Sequence, residues 1–176
     1  MRRQFITAGA LTAVGIASRS SPAIAEVNAE ISSAEKAIHQ ERSFAGGRQR
    51  VYEALTVASQ FDQIIELSGV MKADVMAKMQ KPTKLSPHAG AAFSLFGGYI
   101  VGRQVELVPN ELIVQAWRTL SWPRGIYSIA RFELTEQNAA TKLVFDHTGF
   151  PKGEAQSLAS GWQEHYWDPL SKYLVG

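Results

Sequence analysis

The sequence predicts an α+β fold in which a strongly curved antiparallel sheet wraps around a long C-terminal helix. The first observation is a run of three turn-delimited apolar segments over residues 89–122, which is typical of consecutive strands. The second is a pair of alternating segments, 126–134 and 142–148, which predicts two more strands. The third is an apolar stripe over residues 158–174, with offsets that follow a period near 3.6. A sheet folded around one helix leaves a pocket between them, which is the central functional lead.

Residues 1–25 have the features of an export signal. Met1-Arg2-Arg3 gives a positive start, residues 6–17 form a short apolar run, and Ala23-Ile24-Ala25 fits a small-residue cleavage site. Arg2-Arg3-Gln4-Phe5-Ile6 favours the twin-arginine route over general secretion. The run of about 12 residues is shorter than the roughly 20 that span a bilayer as a helix, so no stable membrane anchor is expected. Cleavage near Ala25 would leave a periplasmic or secreted protein.

The mature chain is expected to be a flexible leader, 26–36, followed by one domain, 37–176. Without the signal, 15 basic and 16 acidic residues remain and the net charge is −1. Because the basic residues are scattered, no nucleic-acid partner is expected. The absence of cysteine excludes disulfides, thiolate metal sites and a cysteine nucleophile. The oligomeric state stays open.

The first part of this domain is predicted to contain one strand and two short helices. The strand covers residues 37–44, and Phe44 fits its alternation only if the strand bulges late. A helix follows over 48–55, and Ser59 is a plausible N-cap for a second helix that ends near residue 67. Residues 71–79 suit a further short helix. The prolines of 81–87 break it, and the whole segment 71–87 is either a lid over the pocket or a linker.

The second part supplies the sheet and the long helix. Gly97-Gly98 predicts a two-residue hairpin, and Pro109-Asn110 predicts the next turn. The helix begins after Lys152, and Pro169 is expected to bend it. Gly161 in its middle either permits a close approach of a strand or leaves space beneath the helix. In the last two strands, one set of alternate residues is predicted to face inward. The set is Ser128, Ala130, Phe132 and Leu134 in the first of them, and Leu143, Phe145 and His147 in the second.

Several motifs of the chain, and the order in which they occur, resemble the domain family named after the activator of the heat-shock-protein-90 ATPase. This family is a branch of the SRPBCC (START-like) superfamily. The resemblance covers roughly residues 37–175. It is carried by Val51-Tyr52-Glu53-Ala54-Leu55-Thr56, by the segment from Ala92 to Ile100, by Ile113-Val114-Gln115-Ala116-Trp117-Arg118, by His147-Thr148-Gly149-Phe150-Pro151 and by the segment from Gly161 to Trp167.

The resemblance implies a helix-grip fold that encloses a cavity. Members of the superfamily bind lipids, sterols, polyketides or hormones there, and some are cyclases or hydrolases. The best-known member of the family activates a cytosolic ATPase, whereas this chain is expected to be exported. The family name is therefore not taken as the function.

The favoured interpretation is binding of a small apolar or amphipathic molecule in that internal cavity, with no cofactor. Large side chains aimed at the helix would form its wall, although aromatic stripes of this kind are more often ordinary core. His147 and Tyr166 are the candidates for a polar end. The full set of candidate ligand-binding residues is Phe93, Trp117, Phe132, Phe145, His147, Trp162 and Tyr166.

Two alternatives remain open. The first is an enzyme of the same fold, a cyclase, dehydratase or hydrolase, in which His147 and Tyr166 act as acid and base. The second is a protein-partner module, which predicts a filled interior and an exposed apolar patch on the outer face of the sheet. The four histidines lack metal-site spacing, so no metal is expected. Arg118 follows Trp117 and is expected to form an ion pair at the surface.

Overall fold

The computed structural model describes residues 37–68 and 81–176. The expected signal peptide (1–25), the leader (26–36) and the predicted helix over 71–79 lie outside the described residues. In the part of the chain that is described, no helix is long and apolar enough to cross a bilayer.

Six strands form one curved antiparallel sheet in the order β1-β6-β5-β4-β3-β2. Consecutive strands from β2 to β6 pair with each other, and β1 pairs with β6 at the edge of the sheet opposite β2. This arrangement confirms the predicted α+β, helix-grip architecture. The strands are β1 Ala37–Ala45, β2 Ala92–Leu95, β3 Ile100–Val108, β4 Leu112–Thr119, β5 Ser128–Gln137 and β6 Ala140–Thr148.

Two short helices, α1 (Arg48–Thr56) and α2 (Ala58–Leu67), precede β2. The C-terminal helix α3 consists of an α-helical segment Ala155–Trp162, a π-helical turn Gln163–Trp167 and a second α-helical segment Asp168–Val175. The Asp168 N–H donates to the Gln163 carbonyl in the wider π pattern. This turn directly precedes Pro169, which has no N–H to donate, so the helix accommodates the proline by a local widening.

The centre of the core is a group of aromatic rings between β5, β6 and α3. Phe145 on β6 lies with its ring centroid 4.4 Å from that of Trp162 and 5.2 Å from that of Trp167. Phe132 on β5 meets the same two rings at 5.7 and 6.2 Å. All four side chains are almost completely buried. Tilted and edge-on contacts at these distances are the favourable geometries for aromatic pairs.

The structure corrects the prediction of a late bulge in β1. Pairing with β6 is regular from Ala37 to Ala45, and Phe44 is buried on the same face as Ile38. The intervening Gln40 is tolerated there because Trp167 Nε1 donates to its Oε1 at 2.6 Å and its own Nε2 donates to the Ala159 carbonyl at 3.3 Å. Hydrogen bonds to α3 therefore allow a polar side chain on an inward face.

The connection between β2 and β3 also differs from the predicted two-residue hairpin. Leu95 pairs with Ile100, so four residues link the strands, and Phe96–Gly98 forms a 3₁₀ turn. Phe96 has a positive φ of 50°, which is unusual for a bulky residue. Its buried ring lies 5.8 Å from Phe61 and 5.5 Å from Tyr166, and these core contacts hold the residue in that conformation.

Two smaller predictions were wrong. Ser59 lies inside α2, whose N-cap is Val57 without a side-chain hydrogen bond. Arg118 faces outward from β4 but is buried, because the loop after β4 folds over it. Its guanidinium donates to the carbonyl oxygens of Thr119 and Trp122 at 3.2 and 2.6 Å and lies 5.7 Å from the centre of the Tyr127 ring. It makes backbone hydrogen bonds rather than an ion pair.

Candidate ligand-binding pocket between β4 and the C-terminal helix

A partly open cavity of about 210 Å³ lies between the sheet and the first half of α3, and we call it the β4–α3 pocket. The sheet side of its wall comes from β4 and from the start of β3, and the other side from one face of α3. Most of the exposed wall is apolar. The lining residues are Tyr99, Ile100, Trp117, Thr119, Glu154, Ser157, Leu158, Gly161, Trp162, His165 and Tyr166.

The helix wall follows directly from helical spacing. Leu158, Gly161, Trp162 and His165 are three or four residues apart and therefore share one face of α3. Beyond the helix backbone and its two chain neighbours, a Cβ atom added at Gly161 would come within 4 Å only of the Cδ2 atom of His165, at 3.9 Å. Of the two expectations for this glycine, space beneath the helix is therefore the one that the structure shows.

Three residues of this wall each carry a buried polar atom that makes no hydrogen bond of regular geometry among the described residues. The atoms are Trp117 Nε1, His165 Nδ1 and the Tyr166 hydroxyl. Burial raises the pKa of Tyr166, and a hydrogen-bond interaction with the nearby Trp117 indole, although not of regular geometry, lowers it to a smaller extent. The Tyr166 hydroxyl therefore keeps its proton. Leaving such a group unpaired costs about 1–3 kcal/mol, and the same cost applies to Gln104 Oε1 and Trp122 Nε1, which lie outside the pocket wall.

The sequence-predicted set is divided between this pocket and the core. Trp117, Trp162 and Tyr166 line the pocket, whereas Phe132, Phe145 and His147 do not. Their side chains are buried in the core and lie against Trp162. Phe93 is buried against Gly102 and borders a separate surface groove that includes Arg103, Ala116 and Tyr127.

His147 belongs to a closed chain of hydrogen bonds. Trp162 Nε1 donates to His147 Nδ1 at 3.0 Å, and His147 Nε2 lies 2.6 Å from Ser128 Oγ, which is 2.9 Å from the Trp117 carbonyl. An indole N–H can only donate, so Nδ1 must be the acceptor and Nε2 carries the proton. Nε2 then donates to Ser128, and the Ser128 hydroxyl donates to the carbonyl. Both ring nitrogens are thus occupied.

This geometry argues against an acid–base pair formed by His147 and Tyr166. Burial lowers the pKa of His147 to about 3, so the ring is neutral near pH 7, and its nitrogens face protein partners. Trp162 lies against both residues, with ring centroids 5.6 Å from His147 and 4.2 Å from Tyr166. The prediction that His147 forms a polar end of the pocket is therefore corrected. His147 has a structural role, whereas Tyr166 lines the pocket together with Trp117 and His165.

Charge at the pocket is sparse. Glu154 is the only acidic residue that lines it, and no lysine or arginine does so among the described residues. The part of the chain that is described contains no group of three histidine, aspartate or glutamate side chains able to hold a metal ion. The site offers hydrogen bonds and apolar surface.

An antiparallel sheet that grips one long helix, with a cavity between them, defines a helix-grip protein of the START-like class. The family model described as "Activator of Hsp90 ATPase homolog 1-like protein" matches residues 47–175, and the chain belongs to this family.

Curated relatives match only part of their own length. The human "Activator of 90 kDa heat shock protein ATPase homolog 1" is 30% identical over 98 residues, which is 56% of this chain and 29% of the human protein. The mouse "Activator of 90 kDa heat shock protein ATPase homolog 2" is 28% identical over 124 residues, 69% of this chain and 38% of that protein. The chain thus spans well under half the length of these relatives.

Solved structures support the fold. An HSP90 activator from Plasmodium falciparum superposes with a TM-score of 0.66 at 20% identity, covering 80% of this chain and 96% of that one. CalU16 from Micromonospora echinospora gives a TM-score of 0.62 at 17% identity, covering 78% of this chain and 75% of that one. At these identities the likeness concerns the fold alone.

The buried His147 makes stability depend on pH. Between its ordinary pKa of 6.5 and its folded value of about 3, the unfolded chain binds a proton at this ring and the folded chain does not. Stability is therefore complete above pH 6.5 and falls with pH, by about 2 kcal/mol between pH 7 and pH 5. Urea unfolding at a series of pH values measures this slope.

His147→Gln is expected to lose stability overall and to flatten that slope. Phe145→Leu, on the same strand and face, is the matched control, because it destabilises the core and keeps the titrating ring. A slope that His147→Gln leaves unchanged would contradict the assignment.

Tyr166→Phe is expected to raise the free energy of unfolding, by about 1 kcal/mol, because it removes a buried hydroxyl that makes no hydrogen bond of regular geometry. Tyr173→Phe is the control on the same helix: its hydroxyl donates to Gln60 at 3.3 Å, so its removal should lower stability slightly. Chemical denaturation measures both values. A clear loss of stability in Tyr166→Phe would show that the hydroxyl makes a stabilising interaction in the protein.

Proposed function

We propose that this protein binds a small, largely apolar molecule in the β4–α3 pocket. The observation that supports this most strongly is the cavity itself, a partly open space of about 210 Å³ with a mainly apolar wall that also includes the polar residues Thr119, Ser157 and His165. Binding sites for small molecules have this composition: apolar walls with a few polar groups that fix orientation.

The size of the cavity limits the ligand to about one ring. At about 210 Å³ it exceeds the roughly 150 Å³ of an engineered cavity that takes up benzene and falls below the roughly 300 Å³ of ordinary drug-sized sites. Removing about 200 Å² of apolar ligand surface from water contributes about 5 kcal/mol before ordering costs. Since about 5 kcal/mol corresponds to a Kd of about 0.2 mM and ordering costs weaken it further, affinities for such ligands are expected near the millimolar range.

Gly161→Leu is expected to abolish binding, because the new side chain starts at the pocket wall and occupies the space that glycine leaves. Ser160→Leu adds the same side chain at the next residue, on the exposed face of α3, and should bind like the wild type. Saturation-transfer NMR with toluene and acetophenone measures binding. No signal from either compound at millimolar concentration, or equal signals from both variants, would overturn the proposed site.

A second function, docking onto a protein partner, is favoured by an exposed apolar patch at one end of the sheet. Leu120, Ile126, Tyr127 and Ile129 lie in or beside the loop that joins β4 to β5, and each is at least 41% exposed. Patches of this kind mark interaction surfaces. The names of the curated relatives suggest the partner, a 90 kDa heat shock protein.

If docking is the function, this chain should raise the ATP turnover of a purified 90 kDa heat shock protein. The double variant Tyr127→Ser with Ile129→Ser is expected to lose the effect, because it removes two apolar side chains from the patch. Val175→Ser, which removes an apolar side chain exposed at the end of α3, is the control. Unchanged turnover at saturating wild-type protein would exclude this candidate.

A further inference from the structure

The charge of the β4–α3 pocket defines the class of ligand more narrowly than the cavity volume does. We infer, on the basis of the proposed function, that the ligand is a small amine, protonated at neutral pH, with an apolar body. Its ammonium group lies at Glu154, at the start of α3, and its apolar body lies in the space beside Gly161. This specificity goes beyond the family assignment.

The first argument is the charge of the wall. Glu154 is the one acidic side chain among the described lining residues, and none of them is a lysine or an arginine. Lys152 is close in sequence, but it is exposed and does not line the pocket. An ammonium group therefore meets an opposite charge in this wall, whereas a carboxylate meets a like charge.

The carboxylate of Glu154 is able to accept further hydrogen bonds. It is half-buried, and Ser157 Oγ donates to its Oε2 in a long hydrogen bond of 3.4 Å. Because a carboxylate offers about four lone-pair sites, capacity remains for an ammonium donor. Glu154 is also the N-cap of α3, where a helix carries a partial charge of about +0.5. The full negative charge of the carboxylate exceeds it, so this end of the pocket stays negative.

The second argument is the number of aromatic rings in the wall. Four of the lining residues are aromatic, namely Tyr99, Trp117, Trp162 and Tyr166. The face of an aromatic ring attracts a cation through its quadrupole and repels an anion. Since the pocket is partly open, an ammonium group at its edge keeps part of its hydration and avoids the full cost of burying a charge.

The spacing along α3 indicates the shape of the amine. Glu154 and Gly161 are seven residues apart, which corresponds to about 10 Å along the helix axis at about 1.5 Å per residue. Leu158 lies between them on the same wall. A ring beside Gly161 therefore needs a short alkyl chain to carry its ammonium group toward the Glu154 side chain. This geometry favours arylalkylamines over amines attached directly to a ring.

Three soluble compounds of similar shape separate the possible ligand charges. Each has a phenyl ring on a short alkyl chain: 2-phenylethylamine ends in an ammonium group, 2-phenylethanol in a hydroxyl and 3-phenylpropionate in a carboxylate. NMR titration of the wild type at pH 7 and low salt is expected to show the amine bound about five-fold more tightly than the alcohol. The carboxylate should bind more weakly than the alcohol. Added salt should reduce the advantage of the amine and leave the alcohol unchanged.

Glu154→Gln tests the residue assignment. It is expected to weaken binding of 2-phenylethylamine to about the affinity of 2-phenylethanol, and to leave the alcohol within about two-fold of the wild type. Glu164→Gln is the matched control, because Glu164 is exposed on the same helix and lies outside the pocket wall. It should preserve the preference for the amine. Gly161→Leu should abolish binding of both compounds, which places the amine in the pocket rather than on the surface.

Each outcome is decisive. Equal affinities for the amine and the alcohol, or tightest binding of the carboxylate, would overturn the amine inference and leave the proposed pocket intact. A preference for the amine that persists in Glu154→Gln would overturn the role of that residue. Failure of all three compounds to bind at millimolar concentration would overturn the proposed function itself, and the inference with it.

Discussion

The interior is organised around Trp162, whose ring contacts residues of the core and residues of the pocket wall. It packs against Phe145 and Trp167 in the core and against Trp117 and Tyr166 in the wall. Its N–H is tied to His147 at 3.0 Å, which fixes the orientation of the ring. Because a buried indole with a satisfied donor has little freedom to move, the boundary between filled and unfilled space is set by this residue.

The π-helical turn explains how adjacent residues of α3 serve both sides of that boundary. Tyr166 and Trp167 are neighbours in sequence and both are buried, although a regular helix turns successive side chains through about 100°. Tyr166 reaches the pocket, and Trp167 reaches the core and donates to Gln40 on β1. The widened turn before Pro169 thus places two large aromatic side chains under the sheet in succession, as such turns often do at functional sites.

The sequence carried most of the fold but only three of the eleven residues that line the pocket. The strands of the sheet and the stripe of α3 were predictable because their periods of 2 and 3.6 appear directly in the residues. The four-residue turn at Phe96 was not, because core contacts of that ring outweigh the preference of Gly97-Gly98 for a short hairpin. Trp117, Trp162 and Tyr166 were identified by size, but size could not separate them from Phe132 and Phe145. Leu158, Gly161 and His165 could also have been predicted to line the pocket, because their helical spacing places them on the same face as Trp162.

Hydrogen-bond satisfaction shows which polar groups of this interior have a structural role. His147, Ser128 and the indole of Trp162 form a closed chain that ends on a backbone carbonyl, so ligand binding would gain nothing from them. Trp117 Nε1 and the Tyr166 hydroxyl are also buried and lack a hydrogen bond of regular geometry among the described residues, but the same is true of Gln104 Oε1 and Trp122 Nε1, which lie outside the pocket wall. An unpaired buried donor therefore does not by itself identify a binding site in this protein. The proposed site depends instead on the open space beside Gly161, between one face of the C-terminal helix and β4.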